Sequence, residues 1–434
     1  MHPIKTVILF LPLLLPLSVR AQLIADCARD SPKTIFIAIR KDGANGSGVK
    51  ADPFDGSTKT KFDTILRDRA EARESGLIVC IGRGTFDTEG SYDYIIGVGH
   101  QGAMDHKYPL AGFTVGKNWK IHGSGSSGAG RTTLRLSDIY PYPRKGIPLG
   151  ATVVSTISDS ASGVEISDLE IDDNYRAIPG NANLAAISLR SDEGGNWIHR
   201  VNVINAEGRF SEAFPVLTMS VNFHEAPSKN NVIEYVTMSH WGGGQCTAIA
   251  MANATGEVRH NQVNGYQIAF GGWALGPTSF RDNTAIDTEY GFNFDSDNNT
   301  GVIVQNNSII HPQSYGIVIG GSARYSNFKI LANTIEVNKN SVDAILLQGH
   351  VTHALISDNH FIADSRSIPF SKAIAFKGDG NNNNAYNSNH IDRRFEVAKP
   401  DKTSCIFSNV DEMGRPIETL RNTQSKECVS ELHH

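Results

Sequence analysis

Asp295 and Asp297 stand at alternate positions of DSDNN, immediately after the run YGFNF, which reads as a strand. Alternate strand positions put both carboxylates on one face, about 6–7 Å apart. Such a pair could act as acid and base in an inverting glycoside hydrolase, or supply two oxygen ligands to Ca²⁺. A polar surface turn would carry the same letters without chemistry. Tyr266, Tyr290 and Tyr315 share one frame, each two residues ahead of the first apolar residue of an alternating run. They could form an aromatic platform, donate a proton to a leaving oxygen, or stack for structure alone. Trp273 offers an indole face for stacking, or an aromatic cap. His350, and His240 with Trp241 ahead of three glycines, offer imidazoles as bases or as plain solvated groups. Arg190 and Lys377 could neutralise carboxylates, or serve only as surface charges.

A repeat must position these groups. An apolar residue, two mostly polar ones, Asn, one more residue and an apolar one recur as VRHNQV (258–263), FRDNTA (280–285), VQNNSI (304–309), ILANTI (330–335), ISDNHF (356–361) and YNSNHI (386–391). The shared Asn positions are 261, 283, 307, 333, 359 and 389. ISDLEI (166–171), IHRVNV (198–203) and IEYVTM (233–238) fit the frame with an apolar residue in place of Asn. A second run alternates between them, from AAISLRS (185–191) through YGFNFDS (290–296) and YGIVIGG (315–321) to KAIAFKG (372–378). Strand, corner, strand, Asn corner and strand in about 25 residues is one coil of a parallel β-solenoid. Asn suits the corner because it tolerates the left-handed region and can bond backbone groups of the neighbouring coils. Of 33 Asn, 29 fall between Asn174 and Asn389, and 41 Gly accompany them, which disfavours helices. A propeller needs blades of roughly 40–50 residues.

Residues 1–21 read as a secretory signal peptide. His2 and Lys5 precede the apolar run Val7 to Leu17, and small residues end at Ala21. The run is about half the ~20 residues of a membrane span, and no later stretch could cross a bilayer, so the mature chain is expected outside the cell or in the periplasm. A formal charge of −5 without a basic cluster argues against nucleic acid. Five cysteines match no zinc spacing. Cys405–Cys428 is the first choice for a disulfide, and Cys246, just before an apolar run, is expected to be buried.

These repeats resemble the right-handed parallel β-helices of the pectate-lyase-like superfamily over roughly 35–392. GLIVCIGRGTFDT (76–88) and GFTVGKNWKIHGSGSSGAGRTTLRL (112–136) are similar to the first coils of its lyase-type and tailspike-type domains. The resemblance implies an all-β chain: entry segment and capping helix at 22–75, β-helix at 76–392, and a C-terminal cap at 393–434. In KTKFDTILRDRAEAR (59–73), Phe62, Ile65, Leu66 and Ala70 share the helix face that would plug the solenoid.

The resemblance also places a substrate groove on the outer face of the 185–191 to 372–378 strands. Two outward columns follow from counting. One holds Arg190, Ala252, Gly271, Asp295, Gly320, Gln348 and Lys377; the other holds Asp192, Asn222, Trp273, Asp297, Ser322, His350 and Asp379. Coils lie about 4.8 Å apart, so neighbouring residues in a column can share a site. Polygalacturonase and alginate-epimerase motifs are only partly kept. Tyr290-Gly291-Phe292 matches the start of the epimerase run, but Asn293 stands where an Asp belongs. The expectation is a secreted enzyme cleaving an acidic polysaccharide by β-elimination. Asp295 and Asp297 would hold Ca²⁺, and Tyr290, Tyr315 and His350 would move protons. Tyr266, Trp273, His240, Trp241, Arg190 and Lys377 would bind substrate. A glycoside hydrolase, a uronate C5-epimerase and a non-catalytic adhesin are the alternatives. Trimers occur among such helices, so a homo-oligomer stays open.

Overall fold

The computed structural model describes residues 26–28, 30–92, 114–137, 150–156, 162–177, 183–206, 214–220, 227–295, 298–338, 342–364, 371–378, 380–396 and 404–417. Strands from successive coils pair in parallel, apart from one antiparallel contact at Ser91–Tyr92. The groove-bearing column comprises Asn183–Arg190, Val216–Met219, Thr237–Ala252, Gln262–Trp273, Tyr290–Phe294, Tyr315–Ser326, Asp343–Thr352 and Ile374–Lys377. Two further columns complete each coil, one through Thr278–Arg281 and Ile303–Gln305, the other through Thr284–Ile286 and Ser308–Ile310. Alternation sends every second side chain inward. In the groove-bearing column Phe270, Phe292, Ile317, Ile345 and Ile374 form one inward file. The Phe270 and Phe292 rings stack at 5.0 Å. Each such buried side chain contributes about 1.5–3 kcal/mol relative to exposure.

The coil spacing is fixed at the Asn corners. Asn283 Oδ1 accepts from the Asn261 backbone N–H (3.1 Å) and from Asn261 Nδ2 (2.9 Å). Its own Nδ2 donates to the Val258 carbonyl (2.8 Å) and to Asn307 Oδ1 (3.0 Å). All four hydrogen-bonding positions of a buried amide are therefore filled. The same set recurs through Asn307, Asn333, Asn359 and Asn389 to Asn409. The Asn is not the left-handed residue of the corner, contrary to the sequence reading. That conformation falls on the residue before it: His260, Asp282, Asn306, Ala332, Asp358, Ser388 and Ser408, with φ from 47° to 58°. Asn is required for its four bonds, and its neighbour makes the bend.

Both ends of the coil stack depart from the expected boundaries. Thr34–Ala38 pairs with Ile78–Ile81, so the sheet begins inside the entry segment. The helix Lys59–Glu71 starts at Thr58, whose side chain accepts from Lys61 N, and buries Phe62, Leu66 and Ala70. Phe62 meets Phe86 at 5.3 Å between ring centres. The repeat does not stop at 392: Cys405–Phe407 and Val410–Asp411 extend two columns, and Asn409 extends the amide series. Cys27–Cys80 is a disulfide that the sequence reading did not select. Cys405 is also disulfide-bonded, while Cys428, the side chain of Cys246 and residues 1–21 lie outside the described residues. Among the described residues no helix is long and apolar enough to cross a membrane.

Three stability predictions follow. Asn307→Ala leaves Asn283 Nδ2, the Asn283 N–H and the Asn333 amide short of partners, and should cost about 2–4 kcal/mol in denaturant unfolding. Asn306→Gly, at the adjacent left-handed corner, should stay within about 0.5 kcal/mol of wild type or stabilise. Asp63 on the helix is buried and accepts from Thr88 Oγ1 (2.6 Å) and Glu89 N (2.9 Å). Burial pushes its carboxyl up to about 6, from an ordinary 3.8. Between those values the folded state holds the proton that the unfolded state has lost, so stability falls as pH rises through the window. The slope integrates to at most about 3 kcal/mol. Subtracting the unfolding profile of Asp63→Asn from that of wild type between pH 4 and 6 should reveal it.

Candidate functional site

Outward side chains of the groove-bearing column line an open cavity of about 490 Å³. Its walls hold Tyr290, Tyr315, Asn293, Asp295, Gln348 and Lys377, with Val318 and Leu346 beneath. Register explains the grouping. Tyr290 pairs with Tyr315, and their rings stack at 5.8 Å and 22°. Both pack on the outward apolar patch Val318, Leu346 and Ala375. Phe294 pairs with Ile319, which sets Asp295 beside Gly320; Gly320 pairs with Gln348, and Gln348 with Lys377. Asn293 Nδ2 donates to Asp295 Oδ2 (3.0 Å), orienting the carboxylate. Gly320 has φ 140°, and a Cβ there would sit 1.9 Å from the Gln348 carbonyl. Glycine is required at that rung because the Gln348 backbone approaches so closely.

Burial pushes the Tyr290 phenol above its ordinary value, and the Glu289 carboxylate beside it adds to the rise. Like any phenol, Tyr290 carries its proton at neutral pH, and its hydroxyl is hydrogen-bonded to the Glu289 carboxylate. Lys377 is exposed at the far end of the cavity. The site combines two phenols, one carboxylate among the described lining residues, one ammonium and two amides.

The expected residues divide sharply. Tyr290, Tyr315, Asp295 and Lys377 come together as anticipated. Asp297 lies outside the described residues. Tyr266 does not join the other tyrosines: the register pairs Ile268, not Tyr266, with Tyr290. Tyr266 turns inward, 1% exposed, and its hydroxyl donates to the Ala206 carbonyl. His350 is displaced by a register shift between Gly320 and Arg324; it pairs with Arg324 and does not line the cavity. Trp273 belongs in the column of Asp295, one rung earlier, because Gly272 pairs with Phe294. Its ring packs on Phe214 at 4.7 Å and on Leu217, Ala250 and Ala252, away from the cavity. Arg190 is 4% exposed, and burial pushes its guanidinium down to about 9. It is a buried group four rungs from Asp295, not a surface contact. His240 and Trp241 lie in the strand Thr237–Ala252 rather than a loop; their side chains lie outside the described set.

Asn293, Gln348, Val318 and Leu346 were not selected as site residues. Their outward register was readable from alternation, but amides and aliphatics carry no distinctive chemical signal. A larger hollow, about 1060 Å³, lies beside the Cys27–Cys80 disulfide. There the Arg200 guanidinium is already held by both Asp168 oxygens (2.7 and 2.9 Å), and His122 by Ser167 (2.8 Å), so the groove cavity is the better candidate.

No family model matches the chain, and no curated protein matches it. Among solved structures, it is similar to the A-module of Azotobacter vinelandii mannuronan C-5 epimerase AlgE6, at 15% identity and TM-score 0.51, covering 81% of this chain and 94% of that one. It is also similar to DFA-IIIase from Arthrobacter chlorophenolicus A6 without its lid, at 12% identity and TM-score 0.50, covering 89% and 100%. The chain has the right-handed parallel β-helix fold. At these identities the likeness establishes the fold and leaves the chemistry to the site.

The close approach of the Gln348 backbone makes Gly320 sensitive to substitution. Gly320→Ala places a Cβ against the Gln348 carbonyl in a left-sided backbone conformation, and should lower the thermal midpoint clearly below that of wild type. An unchanged midpoint would contradict the local geometry.

Proposed function

We propose that the chain is a secreted enzyme that cleaves a uronate-containing extracellular polysaccharide by β-elimination in the cavity under Tyr290 and Tyr315. Export is read from residues 1–21. The observation that carries the reaction is the stacked tyrosine pair sharing a single open cavity with one carboxylate and one ammonium. Structural neighbours whose names record a mannuronan epimerase and DFA-IIIase support a carbohydrate ligand on this fold.

Lys377 meets the uronate carboxylate and lowers the cost of negative charge developing at C5. Asp295, oriented by Asn293, takes the C5 proton. The electron pair of that C–H bond forms the C4–C5 double bond as the C4–O bond breaks. Tyr290, protonated at neutral pH as phenols are, gives its proton to the departing oxygen. Tyr315 holds the Tyr290 ring and presents a second phenol to the sugar. Ca²⁺ requires six to eight oxygens. The described lining supplies Asp295, one of the two carboxylates read as Ca²⁺ ligands, while Asp297 lies outside the described residues, and no step is assigned to a metal.

The test is digestion of a panel of uronate polysaccharides, read by ultraviolet absorbance of the unsaturated product and by reducing ends. Both signals should rise together and survive EDTA. Tyr290→Phe should lower kcat about 10²–10⁴-fold with little change in KM, while Lys377→Met should chiefly raise KM. Reducing ends without unsaturation would replace this reading with a hydrolase. C5 inversion without cleavage would replace it with an epimerase. Binding unaffected by Tyr290→Phe, with neither product, would leave a binding module.

A further inference from the structure

A second cluster lies at the corner that leads into the groove strands. Asp287, His311, Glu336 and Asp364 come from four successive coils. His311 Nε2 stands 3.7 Å from Glu336 Oε1 and 3.5 Å from Asp364 Oδ2. These three ligand atoms all lie within 4.8 Å of one another. On the other side of the ring, Asp287 Oδ1 lies 3.5 Å from Nδ1.

We propose that His311, Glu336 and Asp364 form a binding site for a divalent transition-metal ion such as Zn²⁺. Three features point there. A metal–ligand distance of about 2.1 Å in tetrahedral geometry spaces its ligands about 3.4 Å apart, close to the two distances from Nε2. An ion pair made directly by a protonated imidazole would bring at least one oxygen to about 2.7–2.9 Å. Here both stay at 3.5 Å or beyond, and Nε2 is buried without any hydrogen bond. Asp287 stands where metal-bound histidines usually find a carboxylate that fixes the ring and its tautomer. Glu336 and Asp364 remain partly exposed, which leaves an entry path and room for a water as fourth ligand. One nitrogen with two carboxylates suits a transition ion better than Ca²⁺ or Mg²⁺, which prefer all-oxygen sets.

The site does not depend on the proposed cleavage. It would tie together the coils that present the tyrosines, since Asp287 and His311 lie three and four residues ahead of Tyr290 and Tyr315. Within that corner the Gln313 and Ser314 N–H groups already bond the Thr288 and Glu289 carbonyls.

Chelator-treated full chain is titrated with ZnCl₂ by calorimetry and thermal unfolding, and with Co²⁺ by visible absorption. Wild type should bind one ion at this site, with a saturable rise in melting temperature and Co²⁺ bands of a four-coordinate nitrogen–oxygen site. Asp364→Asn, which preserves size, and His311→Ala should each lose the bands and the thermal shift. Asp287→Asn should weaken binding about 10–100-fold. Absence of tight binding by wild type, or bands and shift retained in Asp364→Asn, would overturn the assignment. Should His311→Ala fail to fold, Asp364→Asn decides alone.

Discussion

The fully bonded Asn amide is the interaction on which the rest of this molecule depends. Each buried amide uses two donors and two acceptors on the coils above and below. A carboxylate would lack the donors, and an apolar residue would strand the neighbours' groups in a dry interior. The coils are therefore held in one register along most of the described solenoid. Residues some 25 apart in sequence thereby become lateral neighbours, which is the condition for any outward column to act as a site.

The cavity lies beside an interruption of that regularity, the register shift after Gly320. At Gly320, which lines it, the Gln348 backbone approaches too closely for any side chain. The apolar outward trio Val318, Leu346 and Ala375 gives the Tyr290–Tyr315 stack a surface to lie on. That stack is partly sheltered from water, and an exposed lysine stands at the far end of the same cavity. A repetitive scaffold and an outward apolar patch together bring phenols, a carboxylate, amides and an ammonium into one cavity.

The solenoid was legible because its two signals, alternation and the recurring Asn, are strictly local in sequence. Tyr290, Tyr315, Asp295 and Lys377 were legible for the same reason: simple counting along regular strands puts them in outward positions. Counting failed where the length of a coil changed. The register pairs Ile268, not Tyr266, with Tyr290, and the shift after Gly320 moved His350 off the cavity. Arg190 was misjudged because its burial depends on long-range packing that alternation does not encode. The left-handed role given to Asn was misplaced by one residue, since His260, Ala332 and Ser388 take it with no shared residue type. The His311 cluster escaped notice because its members sit one per coil, at corners of unequal spacing.

Mass spectrometry of products formed in ¹⁸O-labelled water tests the central claim most directly. Elimination breaks the C4–O bond without adding water across it, so a uronate polysaccharide should yield oligosaccharides with an unsaturated, unlabelled non-reducing end, each lighter by one water than a hydrolysis product. Saturated products carrying one ¹⁸O from the cleavage itself would contradict the account and assign the cavity to hydrolysis.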